Sequence, residues 1–150
     1  MKLNIAGLDF TFDKDEERWE CQIKSVEVLG GISANLYVYE YEETDNRDDF
    51  SKAISSFLKL DKFALKDAED KLLKYLNDTN DYYAKSGGPV LEIEKDKTVW
   101  DYVTFGDEIA VDRAEDGVTV SVECECEWDE EHGLNLVFAD GKRIVEAGPF

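Results

Sequence analysis

Residues 118–128 alternate without a break. Val118, Val120, Val122, Cys124, Cys126 and Trp128 are apolar, and Thr119, Ser121, Glu123, Glu125 and Glu127 between them are polar. Side chains of a strand point to opposite faces with period two, whereas a helix repeats its apolar positions at 3.6. The run therefore predicts a half-buried antiparallel strand with one face on a core and the other in water. Any fold for this chain must contain a sheet with one apolar side.

Other stretches support a sheet. Leu3, Ile5, Phe10 and Phe12 suggest short extended segments broken near Gly7, followed by a charged turn at 13–17. Trp19, Cys21 and Ile23 alternate with polar residues, and Gly30-Gly31 signals a turn. Ala34, Leu36 and Val38 then alternate with Asn35, Tyr37 and Tyr39, and the pattern runs on to Tyr41. After this point the period changes. Phe50, Ala53, Ile54, Phe57 and Leu58 recur at helical spacing, with Asp45 or Asn46 as the expected N-cap. A second helix is expected from about Asp61, with Leu65, Ala68, Leu72, Tyr75, Leu76, Thr79, Tyr82 and Tyr83 on one stripe. Ser86-Gly87-Gly88-Pro89 ends it. An aromatic stripe at this spacing reads as core. Val90–Ile93 reads as a short strand, and residues 98–105 as a helical turn that packs Val99, Tyr102 and Val103. Ile109 and Val111 open another strand. The pairs Asp116-Gly117 and Asp140-Gly141 are hairpin turns flanking the central run. The expectation is a single α+β domain over 1–150. It has a mostly antiparallel sheet, a C-terminal meander and two mid-chain helices packed on one face.

Charge narrows the partners. Asp and Glu number 36 against 17 Lys and Arg, a formal charge of −19. Such a field repels phosphates and anionic lipid and attracts basic proteins. No basic, aromatic-interleaved patch suited to nucleic acid is present. No apolar run is long enough for a membrane span or a secretory signal, so a cytoplasmic protein is expected. Cys21, Cys124 and Cys126 are an odd set. Cys124 and Cys126 lie two apart on one strand face, a poor disulfide geometry, so three buried thiols in a reducing compartment are expected.

The densest polar constellation is Glu123, Glu125, Glu127, Asp129, Glu130, Glu131 and His132. Three glutamates project from one strand face at intervals of about 7 Å. Like charges in a row cost stability unless solvated or paired. The ordinary reading is a solvated outer face. A functional reading is a docking ridge for Lys and Arg of a partner. A hard cation is a third reading, but the internal Gly and ligand spacing of an EF-hand loop are missing. His132 is the only histidine. It reads as a turn-stabilising residue, with Glu131 available to hold its ring and Gly133 at positive φ to return the chain. A catalytic or metal-binding His132 is the alternative, although the cysteines face the other way. No nucleophile elbow, phosphate loop, dinucleotide glycine pattern or CxxC is present, and no cofactor is expected.

Trp128, Glu131, His132 and Gly133, followed by Leu134, by Leu136-Val137-Phe138 and by Asp140-Gly141, resemble the WxxEHG signature of small bacterial proteins built on a domain of unknown function. The segment Val99–Val103 with Ile109, Val111 and Arg113 also resembles that family's upstream part, so the likeness spans about residues 98–148. The resemblance implies a cytoplasmic bacterial protein, and related domains occur among immunity proteins of polymorphic toxin systems. It carries over no catalytic residues, and the family pattern continues past Phe150. With the charge, it leads to the expectation of an acidic immunity protein that binds a basic toxin domain and is not an enzyme. The expected contacts are Glu123, Glu125, Glu127, Glu130 and Glu131, with Tyr37, Tyr39 and Tyr41 as aromatic anchors. The runner-up is an enzyme or metal-binding protein with its site at His132 and Glu131.

Overall fold

The computed structural model describes residues 2–42 and 47–150. Its strands form one eight-stranded sheet whose spatial order is the chain order. They are β1 (Lys2–Ile5), β2 (Leu8–Asp13), β3 (Arg18–Val26), β4 (Ile32–Tyr39), β5 (Val103–Ala114), β6 (Gly117–Cys126), β7 (Leu134–Ala139) and β8 (Arg143–Gly148). Neighbours pair antiparallel except β4 and β5, which pair parallel. A parallel pair needs a crossover. Here the crossover carries α1 (Asp48–Lys59) and α2 (Glu69–Lys85). The α+β architecture, the C-terminal meander and the two helices agree with the sequence reading.

Both helices lie over the same face of the sheet. Phe10, Leu36, Val38, Val111, Val120, Leu136 and Phe138 point into it from five strands, and Phe50, Ile54, Phe57, Leu72 and Leu76 meet them from the helices. Phe57 and Phe138 touch edge to face at 5.0 Å, a geometry worth about 1 kcal/mol beyond area burial. The alternation of 118–128 appears as drawn: Val118, Val120, Val122, Cys124, Cys126 and Trp128 are buried, while Glu123, Glu125 and Glu127 are exposed.

Several local expectations change. The N-caps proposed for α1, Asp45 and Asn46, lie outside the described residues. The helix expected from Asp61 begins as a 3-10 segment over Lys62–Ala68, capped by the Asp61 carboxylate on the Phe63 N–H, and becomes α-helical only at Glu69. Residues 90–93 form no strand. The Asn80 carboxamide bonds both the N–H and the C=O of Leu91, at 3.0 and 2.8 Å, and so replaces a strand partner. Cys21 is half-exposed, because β3 lies near one edge of the sheet where the helices give less cover.

Candidate functional site

The face of the sheet opposite the helices is the first candidate. Register places Arg18 beside Tyr39, Glu20 beside Tyr37, Tyr37 beside Ala110, Ala110 beside Ser121 and Glu123 beside Asn135. The centre of this face is thus lined by small residues and two tyrosines. Its acidic end is larger than the strand alternation implied. The pairing of β5 with β6 shifts between Phe105 and Ile109. In that bulge a Cβ on Gly106 would meet the Glu123 carbonyl at 1.9 Å, so only glycine fits there. The bulge brings Asp107 and Glu108 alongside Glu123 and Glu125 in one recess of about 730 Å³. Asp107 and Glu108 were missed from sequence. The signal was a glycine inside a strand followed by two acids.

The predicted contact residues separate into groups. Glu125, Glu127 and Glu130 line a second recess, where the Glu127 N–H bonds the Tyr102 carbonyl at 3.0 Å. Tyr37, Tyr39, Glu108 and Glu123 share a third. The tyrosines are not bare anchors. The Arg18 guanidinium lies 3.8 Å from the Tyr37 ring centre and donates to the Tyr39 hydroxyl at 3.0 Å and to Glu20 at 2.8 Å. Burial, followed by the charge of Glu108, raises the pKa of the Tyr37 phenol. Tyr41 leaves this face. Glu40 has φ 56, which breaks the alternation, and Tyr41 packs edge to face on Phe50 of α1 at 5.4 Å. Glu131 is exposed at the tip of the β6–β7 hairpin.

The second candidate surrounds His132. Its ring is not held by Glu131. The buried Asp129 holds it, with Nδ1 at 3.0 and 3.1 Å from the two carboxylate oxygens, and the His132 backbone N–H reaches Oδ1 at 3.2 Å. The Tyr75 hydroxyl donates to the Gly133 carbonyl at 2.7 Å and lies 3.1 Å from Asp129 Oδ2. The Cys126 thiol points at the carbonyls of Asp129 and Gly133, each at 3.6 Å. Trp128 closes the cluster, edge to face with Tyr75 at 5.6 Å. Gly133 has φ 67, which lets the chain turn back into β7. The hairpin therefore reports to α2 through one tyrosine. Burial, then the neighbouring Cys126 and Asp129, pushes the Tyr75 phenol far up. Burial likewise raises Cys126, and Cys124 to about 11, so neither thiol is a nucleophile at neutral pH.

These residues form one end of a cleft of about 670 Å³ between α2 and β8. The aromatic stripe of α2 is core as far as Leu76. Beyond it no α2 side chain is fully buried, and Tyr82 and Tyr83 become a wall of the cleft. Asp129, in sequence only one acid of the constellation, and Tyr75, in sequence only core, are the partners of this site that sequence does not assign to His132. Among the described residues no group of three or more His, Cys, Asp or Glu is placed to hold a metal ion, and no helix is long and apolar enough to cross a membrane.

Residues 9–150 match the family described as domain of unknown function DUF6985, and the chain belongs to that family. No curated protein and no solved structure matches it.

Proposed function

We propose that the protein is an acidic binding module whose open sheet face receives a basic protein, and that the partner is a toxin domain neutralised by occupation of its cationic surface. The observation that carries this reading is the convergence of Asp107, Glu108, Glu123 and Glu125 on a sheet face that no helix covers. Carboxylates held on a rigid sheet are preorganised for Lys and Arg and steer a basic partner over long range. The same face supplies ring area from Tyr37, and Arg18 already shows how a guanidinium seats there. The WxxEHG likeness and the immunity context belong to this proposal and rest on Trp128, Glu131, His132 and Gly133. The cytoplasmic location expected from sequence is part of it too.

The test is binding of the purified chain to a toxin domain encoded beside it, with protection of cells that express the toxin. Changing Glu108, Glu123 and Glu125 together to Lys should lower affinity by at least about a hundredfold, with a weaker salt dependence. The melting temperature should hold, because these side chains are solvated. Unchanged binding and protection by the folded triple variant removes the reading. The enzyme or metal reading has one observation in its favour, the Asp129-held imidazole at the end of a cleft. It is disproved if the purified parent protein takes up no metal and a folded His132→Ala variant still protects fully.

A further inference from the structure

The cleft between α2 and β8 gathers exposed apolar side chains that elsewhere on the molecule are scattered. The large hydrophobic residues left exposed among those described are Phe63, Leu73, Tyr82, Val90, Val145 and Phe150. Tyr82, Val145 and Phe150 all line this one cleft. Val145 is there because of an irregularity in the sheet. Val137 pairs with Glu146 and Phe138 with Ile144, which leaves Val145 as the unpaired bulge residue between them. Bulges re-aim side chains in this way. Exposed apolar residues are ordinary when single, and their concentration in a concavity marks a binding surface.

The end wall is polar and its proton positions follow from chemistry. Both Asp129 oxygens only accept, so His132 Nδ1 carries the ring proton that they share. The other ring nitrogen, Nε2, makes no hydrogen bond within the described residues, and the side chain is 56% exposed. In the neutral ring Nε2 is an acceptor, held in a fixed direction by the carboxylate behind it. The surrounding charge favours a donor that is also a cation. Asp129 and Glu146 line the cleft, and the charges of Asp129 and Glu131 both reach the Tyr83 phenol. Lys74 is tied to Asp78 at 2.7 Å, which leaves Lys71 as the opposing charge of the lining. Tyr82 and Tyr83 meet edge to face at 5.5 Å and present ring surface suited to a flat or cationic group.

We propose that this cleft binds a small aromatic amidine or amine. The ring lies among Tyr82, Val145 and Phe150, and an N–H donates to His132 Nε2. This site is independent of the acidic sheet face. The volume of about 670 Å³ suits a ligand of one or two rings.

Benzamidine is a sufficient probe, with benzoate as its anionic counterpart of the same shape. Backbone amide shifts of the full chain are followed by NMR as each is added. Saturable shifts at His132, Gly133 and residues 145–148 are expected with benzamidine, and binding at least about tenfold weaker with benzoate. Tyr82 is 70% exposed, so Tyr82→Ala should keep the amide spectrum of the folded chain while weakening benzamidine by about fivefold or more. Equal affinity for benzoate overturns the proposal. So does an unchanged Tyr82→Ala, an absence of saturable shifts at the cleft, or shifts confined to Asp107, Glu123 and Glu125.

Discussion

Tyr75→Phe isolates the polar link between α2 and the β6–β7 hairpin. The ring stays, so its edge-to-face contact with Trp128 and its apolar burial are kept. Only the hydroxyl goes, and with it the 2.7 Å bond to the Gly133 carbonyl and the 3.1 Å approach to Asp129. The Gly133 carbonyl retains the weak Cys126 thiol at 3.6 Å, and Asp129 retains the two N–H groups of His132. Neither acceptor is fully orphaned, so the cost lies near the middle of the range for a buried bond with a charged partner, about 2 kcal/mol. For a chain of this size that lowers the melting temperature by about 4–8 °C. The assay is urea unfolding, with the midpoint moved and the slope kept. Tyr82→Phe, which loses an exposed phenol, should stay within about 0.5 kcal/mol of the parent.

The pH dependence gives a second readout of the same bond. Burial raises the Tyr75 pKa in the folded state above its unfolded value. The neutral phenol is the form that folding favours. Its contribution is therefore complete below the unfolded value of about 10, and it is lost as pH rises from there through the folded pKa. The stability gap between parent and Tyr75→Phe should be flat from neutral pH to about 9 and close above it. A gap under about 0.5 kcal/mol at neutral pH, or one that widens in alkali, refutes the reasoning.

Two further predictions concern the sheet. Gly106→Ala forces a Cβ into the space held by the Glu123 carbonyl and should cost about 2–3 kcal/mol by calorimetry as the bulge shifts. Gly148→Ala, with nothing within 4 Å of the new atom, should fall within about 0.5 kcal/mol of the parent, and equal effects at the two positions would remove the packing argument. Thiol titration with Ellman's reagent at mildly alkaline pH should modify the half-exposed Cys21 in the native protein and Cys124 and Cys126 only after unfolding, since burial holds the last two protonated. Native-state modification of Cys124 at the rate of Cys21 would show that β6 is not buried as described.

The parts of this fold that were legible in sequence are those in which one periodicity rules. The alternation of β6 and the helical spacing of Phe50, Ile54 and Phe57 each follow from a single face packed on a single core. The parts that were not legible arise where one residue interrupts a period or a side chain stands in for backbone. Glu40 at φ 56 turns Tyr41 from the open face to α1, although Tyr37, Tyr39 and Tyr41 look equivalent in sequence. Asn80 gives Leu91 a strand-like pair of bonds with no strand, so residues 90–93 carry strand composition without strand pairing. The parallel pairing of β4 with β5 spans the whole helical insertion and has no local signature.

The hairpin motif shows the same limit at the level of function. Glu131 adjoins His132 in sequence, yet adjacent residues of a turn point apart. Asp129, three residues back, is the one whose carboxylate faces both the His132 backbone N–H and its ring. That arrangement buries a charge, and a buried carboxylate requires donors. The two N–H groups of His132 meet it, and the Tyr75 hydroxyl, shared between the Gly133 carbonyl and Asp129, adds to them from a helix 54 residues away. The motif residues therefore do two things at once. Their bonds hold the hairpin to α2, and by fixing Nδ1 on Asp129 they leave Nε2 free at the end of the cleft. Stability and recognition are separable here by experiment, because Tyr75→Phe acts on the first and Tyr82→Ala on the second.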